Sequence, residues 1–335
     1  MRSFFACIIL IIFIIACGKP ATERTVVVYA SVDQNYAEPI IRKFAQDSKI
    51  KVLPIYDVEA AKTTGLVNRL VAEKARPQAD VFWNVEFAQT LLLKEKGALA
   101  PYNSPAAQDI PAGYRDPEGY WTAFAGRARV LLVNTRELPE IQRPGSLLNL
   151  LDAALPAERL GLAYPLFGTT LTHAAALYAH LGPERGKAFF QQIKDRGWRI
   201  LAGNASVRDL VVQGQLLAGL TDTDDACGAI QRGAAVAAIF PDQQGMGTLI
   251  IPNTVALVAG APNPEAGRAL IDFLLSPEVE KMMLASGWCH VPSRLSAAEP
   301  LCFKDSAIRG MDLTLQEIYQ QLPRVQQEMR EMFVR

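Results

Sequence analysis

The hydrophobic positions of this chain change period repeatedly after residue 24, which predicts alternating strands and helices. Residues 25–30, TVVVYA, form a β-branched run bounded by polar residues and predict a strand. Within 31–47, Ile40, Ile41 and Phe44 recur at helical spacing opposite charged residues, which predicts a helix. Further strands are predicted over 49–57 and 79–83, and further helices over 63–74 and 85–97. This order is typical of a parallel α/β sheet.

The second part of the chain repeats this alternation. Strands are predicted over 129–135, 160–165, 198–203, 216–222, 234–240 and 249–260. Helices are predicted over 168–182, from about Ser206, from about Asp224, over 265–287 and over 312–334. Because the chain is long enough for two domains, we expect two α/β lobes, each with its own sheet. The strands at 129–135 and 249–260 are placed where the chain would cross between them. The expected lobes are 25–125 with about 252–300, and 126–251 with about 301–335.

The N-terminal residues predict export from the cytoplasm. Arg2 precedes an unbroken apolar run over 4–16, which is shorter than the roughly 20 residues of a membrane-spanning helix. A run of this length fits a signal peptide over 1–16. Its end, IIAC, resembles a bacterial lipobox, so we expect a lipid on Cys17 and a short tether over 17–24. The protein would then be anchored outside the cytoplasm, in the periplasm or on the cell surface. The alternative is an ordinary N-terminal anchor in which the cysteine has no role.

Composition and charge exclude some classes of partner. Half of the residues are hydrophobic, so a large core can form. Lysine plus arginine and aspartate plus glutamate number 34 each. Without a basic excess, nucleic acid is not an expected partner.

Three cysteines follow the N-terminal segment: Cys227, Cys289 and Cys302. In an oxidising compartment Cys289 and Cys302 could form a disulfide across a short loop, although the sequence cannot establish the geometry. Cys227 would then be a buried apolar residue or a free thiol. Unpaired Cys289 and Cys302 are the alternative.

Polar residues follow several predicted strands at the start of helices, where open α/β sheets bind ligands. Helix N-termini with free backbone N–H groups suit anions. The alternative for each residue alone is an ordinary helix cap. The candidate ligand-binding residues at these positions are Ser31, Asp33, Asn84, Glu86, Gly168, Thr169, Thr170, Asn204 and Ser206.

The segment TDTDDA carries the densest group of carboxylates. Asp222, Thr223 and Asp224 are ligand-binding candidates, and Asp224 with Asp225 could hold a hard cation through oxygen. The same carboxylates could receive a substrate ammonium group. Alternatively, they cap the following helix and complement its dipole.

Arg127 and Arg129 stand two residues apart beside a predicted crossing strand. Strand alternation places both side chains on the same face. Directed into a cleft, such guanidinium groups would hold a carboxylate or phosphate. A surface or inter-lobe salt bridge is the alternative.

Few features of the chain favour an enzyme. The only histidines are His173, His180 and His290, and none lies in a zinc-protease pattern. No serine-hydrolase elbow or phosphate-binding loop pattern is present. A secreted metal-dependent hydrolase that uses Asp222–Asp225 stays as an alternative, but the chain offers no second cluster for a metal cage and a general base.

Several segments resemble the extracellular solute-binding proteins of ABC importers, in the branch related to ferric-iron-binding periplasmic proteins. They are VVYASVDQNYAEPIIRKF, ADVFWNVE, YWTAFAGRARVLLVNT, VVQGQLLAGLTDTDDA and IPNTVALVAGAPNPEAGRALIDFLLSPEVEKMM. The resemblance implies the two-lobe (type II, Venus-flytrap) periplasmic-binding-protein architecture with a β hinge, and a ligand trapped between the lobes. It also implies delivery to an ABC permease, no catalysis and no cofactor, and we expect a monomer.

The same resemblance leaves the ligand open. Iron-binding relatives commonly carry adjacent tyrosines just after the segment that matches LLAGL, where this chain has Thr223, Asp224 and Asp225. Two kinds of transported ligand therefore remain open: ferric iron, and a small organic anion or zwitterion. A lipoprotein that presents its ligand to a sensor would share the fold.

Overall fold

A computed structural model describes residues 24–57, 64–152, 155–294, 299–304 and 307–334. The predicted signal peptide, Cys17 and the tether up to residue 23 lie outside the described residues. Among the helices that are described, none combines the length and the apolar character that a membrane span requires.

The observed elements alternate along the chain. The strands are β1 Thr25–Ala30, β2 Lys51–Tyr56, β3 Val81–Asn84, β4 Leu99–Ala100, β5 Thr122–Asn134, β6 Leu160–Ala163, β7 Arg199–Leu201, β8 Ala218–Asp222, β9 Val236–Ile239 and β10 Ile250–Val258. The helices are α1 Gln34–Ser48, α2 Thr64–Ala72, α3 Ala88–Glu95, α4 Leu147–Asp152, α5 Gly168–Leu181, α6 Pro183–Asp195, α7 Asn204–Val212, α8 Thr223–Gln231, α9 Pro264–Leu274, α10 Pro277–Ala285 and α11 Leu315–Phe333.

Two groups of strands share one long strand. In the first sheet, β2, β1 and β3 are parallel, and β10 pairs antiparallel with β3, β4 and the first half of β5. In the second sheet, the last half of β5 pairs antiparallel with β8 and β9, while β6 is parallel to both β7 and β8. Since β5 belongs to both sheets, it joins the two halves of the molecule.

The changeover in β5 contains an irregular step. The β5–β10 register shifts between Pro252 and Asn253, and Ala125 has a φ of +38° at this step. The Asn253 side chain donates a hydrogen bond to the Ala125 carbonyl, which satisfies a carbonyl displaced from the ladder. The bulge places Arg127 on the first sheet opposite Ile251, and Arg129 on the second sheet opposite Asp222.

Helices cover both sheets and extend the core. In the first sheet, Val28 and Val81 pack in one buried cluster with Leu270 of α9 and Met283 of α10. Helix α11 packs on α5, and the Tyr319 hydroxyl donates to Glu95 of α3 at 2.7 Å. The predicted lobe boundaries stay a prediction.

Some predicted elements differ from the observed ones. Strand β5 begins seven residues before the predicted 129–135, because its first half, TAFAGRA, is rich in small residues and lacks the aliphatic run of the second half. The predicted helix over 265–287 is two helices, α9 and α10. Pro277 begins the second helix, and the Ser276 side chain caps it by accepting from Val279 N–H.

The disulfide considered between Cys289 and Cys302 is wrong, because Cys302 pairs with Cys227 of α8. Cys289 is a free, buried thiol. Its sulfur accepts a hydrogen bond from Asn253 at 3.3 Å beside the β5 bulge. The expectation of a free or merely apolar Cys227 is wrong for the same reason, since its Cα lies 5.8 Å from that of Cys302.

Candidate ligand-binding site

A fully buried ion pair forms the centre of the site. Register places Arg129 directly opposite Asp222 at the end of β8, and Arg129 Nη1 donates to Asp222 Oδ1 at 2.7 Å. Both side chains are almost completely inaccessible. Burial opposes ionisation of Asp222, but the charges of Arg129 and Arg127 outweigh it and lower the pKa of this carboxyl.

Two helix N-termini complete the surroundings of Asp222. The Thr169 hydroxyl, in the first turn of α5, donates to Asp222 Oδ2 at 2.8 Å. Asn204, the first residue of α7, donates to the same oxygen at 2.9 Å and accepts from Arg129 Nη1 at 3.1 Å. Asp222 stands at the N-cap position of α8 but makes no capping hydrogen bond. Its carboxylate therefore faces the arginines and not its own helix.

Arg127 connects this cluster to the first sheet. Its Nη1 lies 3.3 Å from Asp224 Oδ2 and 3.5 Å from Asp222 Oδ2. Its Nη2 donates to the carbonyl of Val85, just after β3, at 3.1 Å. Arg127 and Arg129 thus reach the same carboxylate, as strand alternation predicts, and Arg127 also contacts the opposite side of the molecule.

The other two carboxyl groups of TDTDDA are harder to ionise. Burial raises the pKa of Asp224. The charge of Arg127 opposes this shift, and the charge of Asp222 adds to it. Burial and the neighbouring Asp224 raise the pKa of Asp225 to about 7. Asp225 accepts hydrogen bonds from Arg208 at 2.9 Å and Thr221 at 2.9 Å. The arginines therefore face one carboxyl group whose ionisation is favoured, Asp222, and two whose ionisation burial opposes.

Several buried polar atoms of this cluster have no hydrogen-bond partner within the described residues. They are Nε of Arg127, Nε and Nη2 of Arg129, and Oδ1 of Asp224. Buried groups of this kind are usually paired. Unpaired guanidinium N–H groups beside an unpaired carboxyl oxygen suit a ligand that offers both an oxyanion and a donor.

Ser31, Asn84 and Glu86 form a separate buried group at the ends of β1 and β3. The Ser31 hydroxyl donates to Asn84 Oδ1 at 2.6 Å and accepts from Val85 N–H at 3.1 Å. Glu86 accepts from two backbone N–H groups at the start of α3, Ala88 at 2.7 Å and Gln89 at 3.0 Å. Burial nevertheless raises the pKa of Glu86. This group positions the Val85 carbonyl that Arg127 contacts.

The remaining candidates occupy less central positions. Thr223 accepts from the backbone N–H of Ala128 at 3.1 Å, so it supports the strand. Asp33 is the half-buried residue before α1 and makes no capping hydrogen bond, and Gly168 begins α5 with a φ of +59°. Thr170 makes a long hydrogen bond of 3.5 Å to Asn204, and Ser206 is half-buried in α7.

Sequence reasoning missed two neighbours of the cluster. Tyr36 of α1 stacks on Trp288 at 5.6 Å between ring centroids. Burial and then the charge of Asp224 raise the pKa of its phenol, which puts Tyr36 near that carboxyl. Arg208 was missed as the partner of Asp225. Helical spacing from Asn204 could have pointed to Arg208, which lies four residues further along the same helix.

Known proteins share this architecture. The family model for bacterial extracellular solute-binding proteins matches residues 76–307. Over 283 residues the chain is 25% identical to iron uptake protein A1 of Synechocystis sp., covering 80% of this chain and 76% of that protein. The fold is similar to a ferric binding protein from Campylobacter jejuni, with a TM-score of 0.84, 23% identity and coverage of 92% and 100% of the two chains. It is also similar to the periplasmic binding protein AfuA from Actinobacillus pleuropneumoniae with fructose-6-phosphate bound, with a TM-score of 0.79, 21% identity and coverage of 93% and 99%.

The similar structures identify the fold of this chain. The structural neighbours are periplasmic binding proteins of the type II fold, in which two α/β lobes are joined by strands that pass between them. The names of these three similar proteins refer to uptake or binding, and none of the three is the name of an enzyme. With the family model covering more than half of its length, this chain belongs to the bacterial extracellular solute-binding proteins.

Proposed function

We propose that this protein is the solute-binding component of an ABC importer, tethered outside the cytoplasm by a lipid on Cys17. It traps a small charged ligand between its lobes and delivers it to a permease. The observation that carries this proposal is the position of Arg127. One guanidinium contacts Asp224 beside the second sheet and the Val85 carbonyl beside the first.

The same contact suggests how closure and binding are coupled. When the lobes separate about β5 and β10, the Arg127–Val85 hydrogen bond breaks, while Arg129 and Asp222 stay together on neighbouring strands. A ligand that touches Arg127 from the first-lobe side would favour the closed arrangement. A ligand shifts such an equilibrium only by its difference in affinity for the two states.

The charges of the cluster favour an anionic ligand. Arg127 and Arg129 carry permanent positive charges, whereas Asp222 alone among the three carboxyl groups has a lowered pKa. We therefore propose a small organic oxyanion, such as a phosphonate, phosphate ester or carboxylate. Asp224 Oδ1, which has no partner within the described residues, would accept a hydrogen bond from an ammonium or hydroxyl group of the same ligand.

Ferric iron is the second candidate, because similar proteins are named for iron uptake and ferric binding. Asp224 and Asp225 would supply hard oxygen ligands, with a bound anion that offsets the arginines. The phenolate pair commonly found in iron-binding relatives has no counterpart at Thr223, Asp224 and Asp225.

Calorimetric titration distinguishes the two candidates. The protein is unfolded, freed of co-purified ligand and refolded, then titrated with fructose 6-phosphate, 2-aminoethylphosphonate and ferric citrate. We expect an organic oxyanion to bind. We expect Arg127→Met to weaken that binding roughly ten- to a hundredfold, as the loss of a charge-assisted hydrogen bond implies.

The matched control is Arg159→Met, because Arg159 forms a surface pair with Glu137 and precedes β6 at the end of β8 opposite to Asp222. Unchanged affinity in Arg127→Met would remove this residue from the site. Binding of ferric citrate, with iron-free citrate and both phosphorus compounds inert, would favour the iron candidate.

A further inference from the structure

A second group of potential ligand atoms lies outside the cluster just described. The sulfurs of Cys227 and Cys302 and a ring nitrogen of His290 all lie within 4.8 Å of one another. Cys227 belongs to α8, His290 follows α10, and Cys302 precedes α11, so three separate segments meet here. All three side chains are at least nine-tenths buried.

Among the residues that the structure describes, none makes a side-chain hydrogen bond with His290 that would explain its position. Both of its ring nitrogens lack a hydrogen bond to any described residue, although only 2% of the residue is exposed. Its backbone N–H donates to Gly126 of β5, which fixes the residue beside the hinge. Its ring packs against Phe303 at 5.3 Å. Buried polar atoms without partners are rare in folded proteins and call for an explanation.

The imidazole of His290 is a suitable metal ligand. In its neutral form one ring nitrogen carries a free lone pair, and this is the atom that coordinates a metal.

The two cysteines are joined as a disulfide in this structure. Once reduced, they would provide two thiolates beside this imidazole. Thiolates together with imidazole favour thiophilic ions such as Zn²⁺, and a site with three protein ligands leaves the fourth position to water. The two thiolate charges would neutralise a divalent ion, which suits a buried position.

We propose that Cys227, Cys302 and His290 form a redox-controlled metal site, which takes a divalent thiophilic cation of the Zn²⁺ class when the disulfide is reduced. The oxidised form is a covalent link, and the reduced form binds the ion at the same place. This proposal does not depend on the nature of the transported solute.

The chemistry of the exchange balances with a dithiol as reductant. The dithiol gives two electrons and two protons to the Cys227–Cys302 bond and becomes a disulfide itself. The two resulting thiols then release two protons as their sulfurs bind the cation. In either state α8, which carries Asp224 and Asp225 in its first turn, stays joined to the segment that precedes α11.

The test is a titration of the reduced protein with Co²⁺, used as a spectroscopic substitute for Zn²⁺. The intact protein is reduced, freed of reductant without air and titrated, and Zn²⁺ is then added in competition. We expect one Co²⁺ per chain with thiolate-to-cobalt charge-transfer absorption, and its displacement by Zn²⁺. The oxidised protein should show no such absorption.

Variants separate this site from adventitious binding. His290→Ala should weaken Co²⁺ binding at least tenfold, whereas His180→Ala, which changes an exposed histidine of α5, should leave it unchanged. If His290→Ala does not fold, His290→Gln in the same titration serves instead. The double variant with Cys227→Ser and Cys302→Ser should lose the charge-transfer absorption. Absorption that persists in the double variant, or the absence of a stoichiometric complex in the reduced protein, would overturn the proposal.

Discussion

Removing the carboxylate of Asp222 should destabilise the protein strongly. The fully buried guanidinium of Arg129 donates to Asp222 at 2.7 Å and forms no other ion pair within the described residues. Asp222→Ala leaves that charge buried without its counter-charge. Breaking a buried pair in this way typically costs about 3–5 kcal/mol in the free energy of unfolding. We expect a loss of that size, because Thr169 and Asn204 offer only neutral oxygens in place of the carboxylate.

Urea unfolding at pH 7, followed by tryptophan fluorescence, measures this loss. Glu278→Ala is the control, since Glu278 forms an exposed ion pair with Lys43 and should leave the midpoint unchanged. The double variant Asp222→Leu with Arg129→Met removes both charges and should recover much of the stability lost in Asp222→Ala. A loss below about 1 kcal/mol in Asp222→Ala would refute the buried-pair reasoning.

The pH dependence provides an independent check on the same residue. The folded pKa of Asp222 is lowered, so its contribution to stability is present above the unfolded pKa of about 3.9. This contribution is lost as the pH falls further. The difference in unfolding free energy between the wild type and Asp222→Ala should therefore narrow below about pH 4. A difference that stays constant from pH 7 to pH 3 would contradict this.

Three further changes have expected outcomes. The folded pKa of Asp225 is raised to about 7, so the destabilisation caused by ionising this carboxyl grows as the pH rises from about 4 to 7. In urea titrations, Asp225→Asn should therefore be more stable than wild type at pH 8 and equal to it near pH 4. Reducing the Cys227–Cys302 bond, which spans 75 residues, should lower the unfolding free energy by about 4 kcal/mol, and urea midpoints unchanged by reductant would contradict this. A Cβ on Gly219 would clash with a valine methyl of α7, so Gly219→Ala should cost about 1–3 kcal/mol in thermal unfolding. A Cβ on Gly113 meets no atom of the described residues within 4 Å, so Gly113→Ala should not lower the stability.

Local patterns predicted much of this fold, because strand and helix periods reflect which face is buried. The strand at 25–30 matches β1, and the strands predicted at 129–135 and 249–260 correspond to β5 and β10. Alternation also placed Arg127 and Arg129 on one face. These features depend on neighbouring residues along the chain, so a single sequence contains them.

The partners of the site depend on long-range register and could not be predicted. The role of Asp222 follows from its pairing opposite Arg129 in the β5–β8 ladder, 93 residues away in sequence. The disulfide partner of Cys302 was missed for the same reason, since connectivity is not contained in cysteine spacing. The proximity of Tyr36 to Asp224 likewise depends on where α1 and α8 lie in the fold and not on local sequence.

Native mass spectrometry of the protein as purified, with metal analysis of the same sample, tests the central claim most directly. The account predicts one small organic oxyanion per chain, retained in Arg159→Met, lost in Arg127→Met, and no stoichiometric iron. One iron per chain without an organic anion would contradict it.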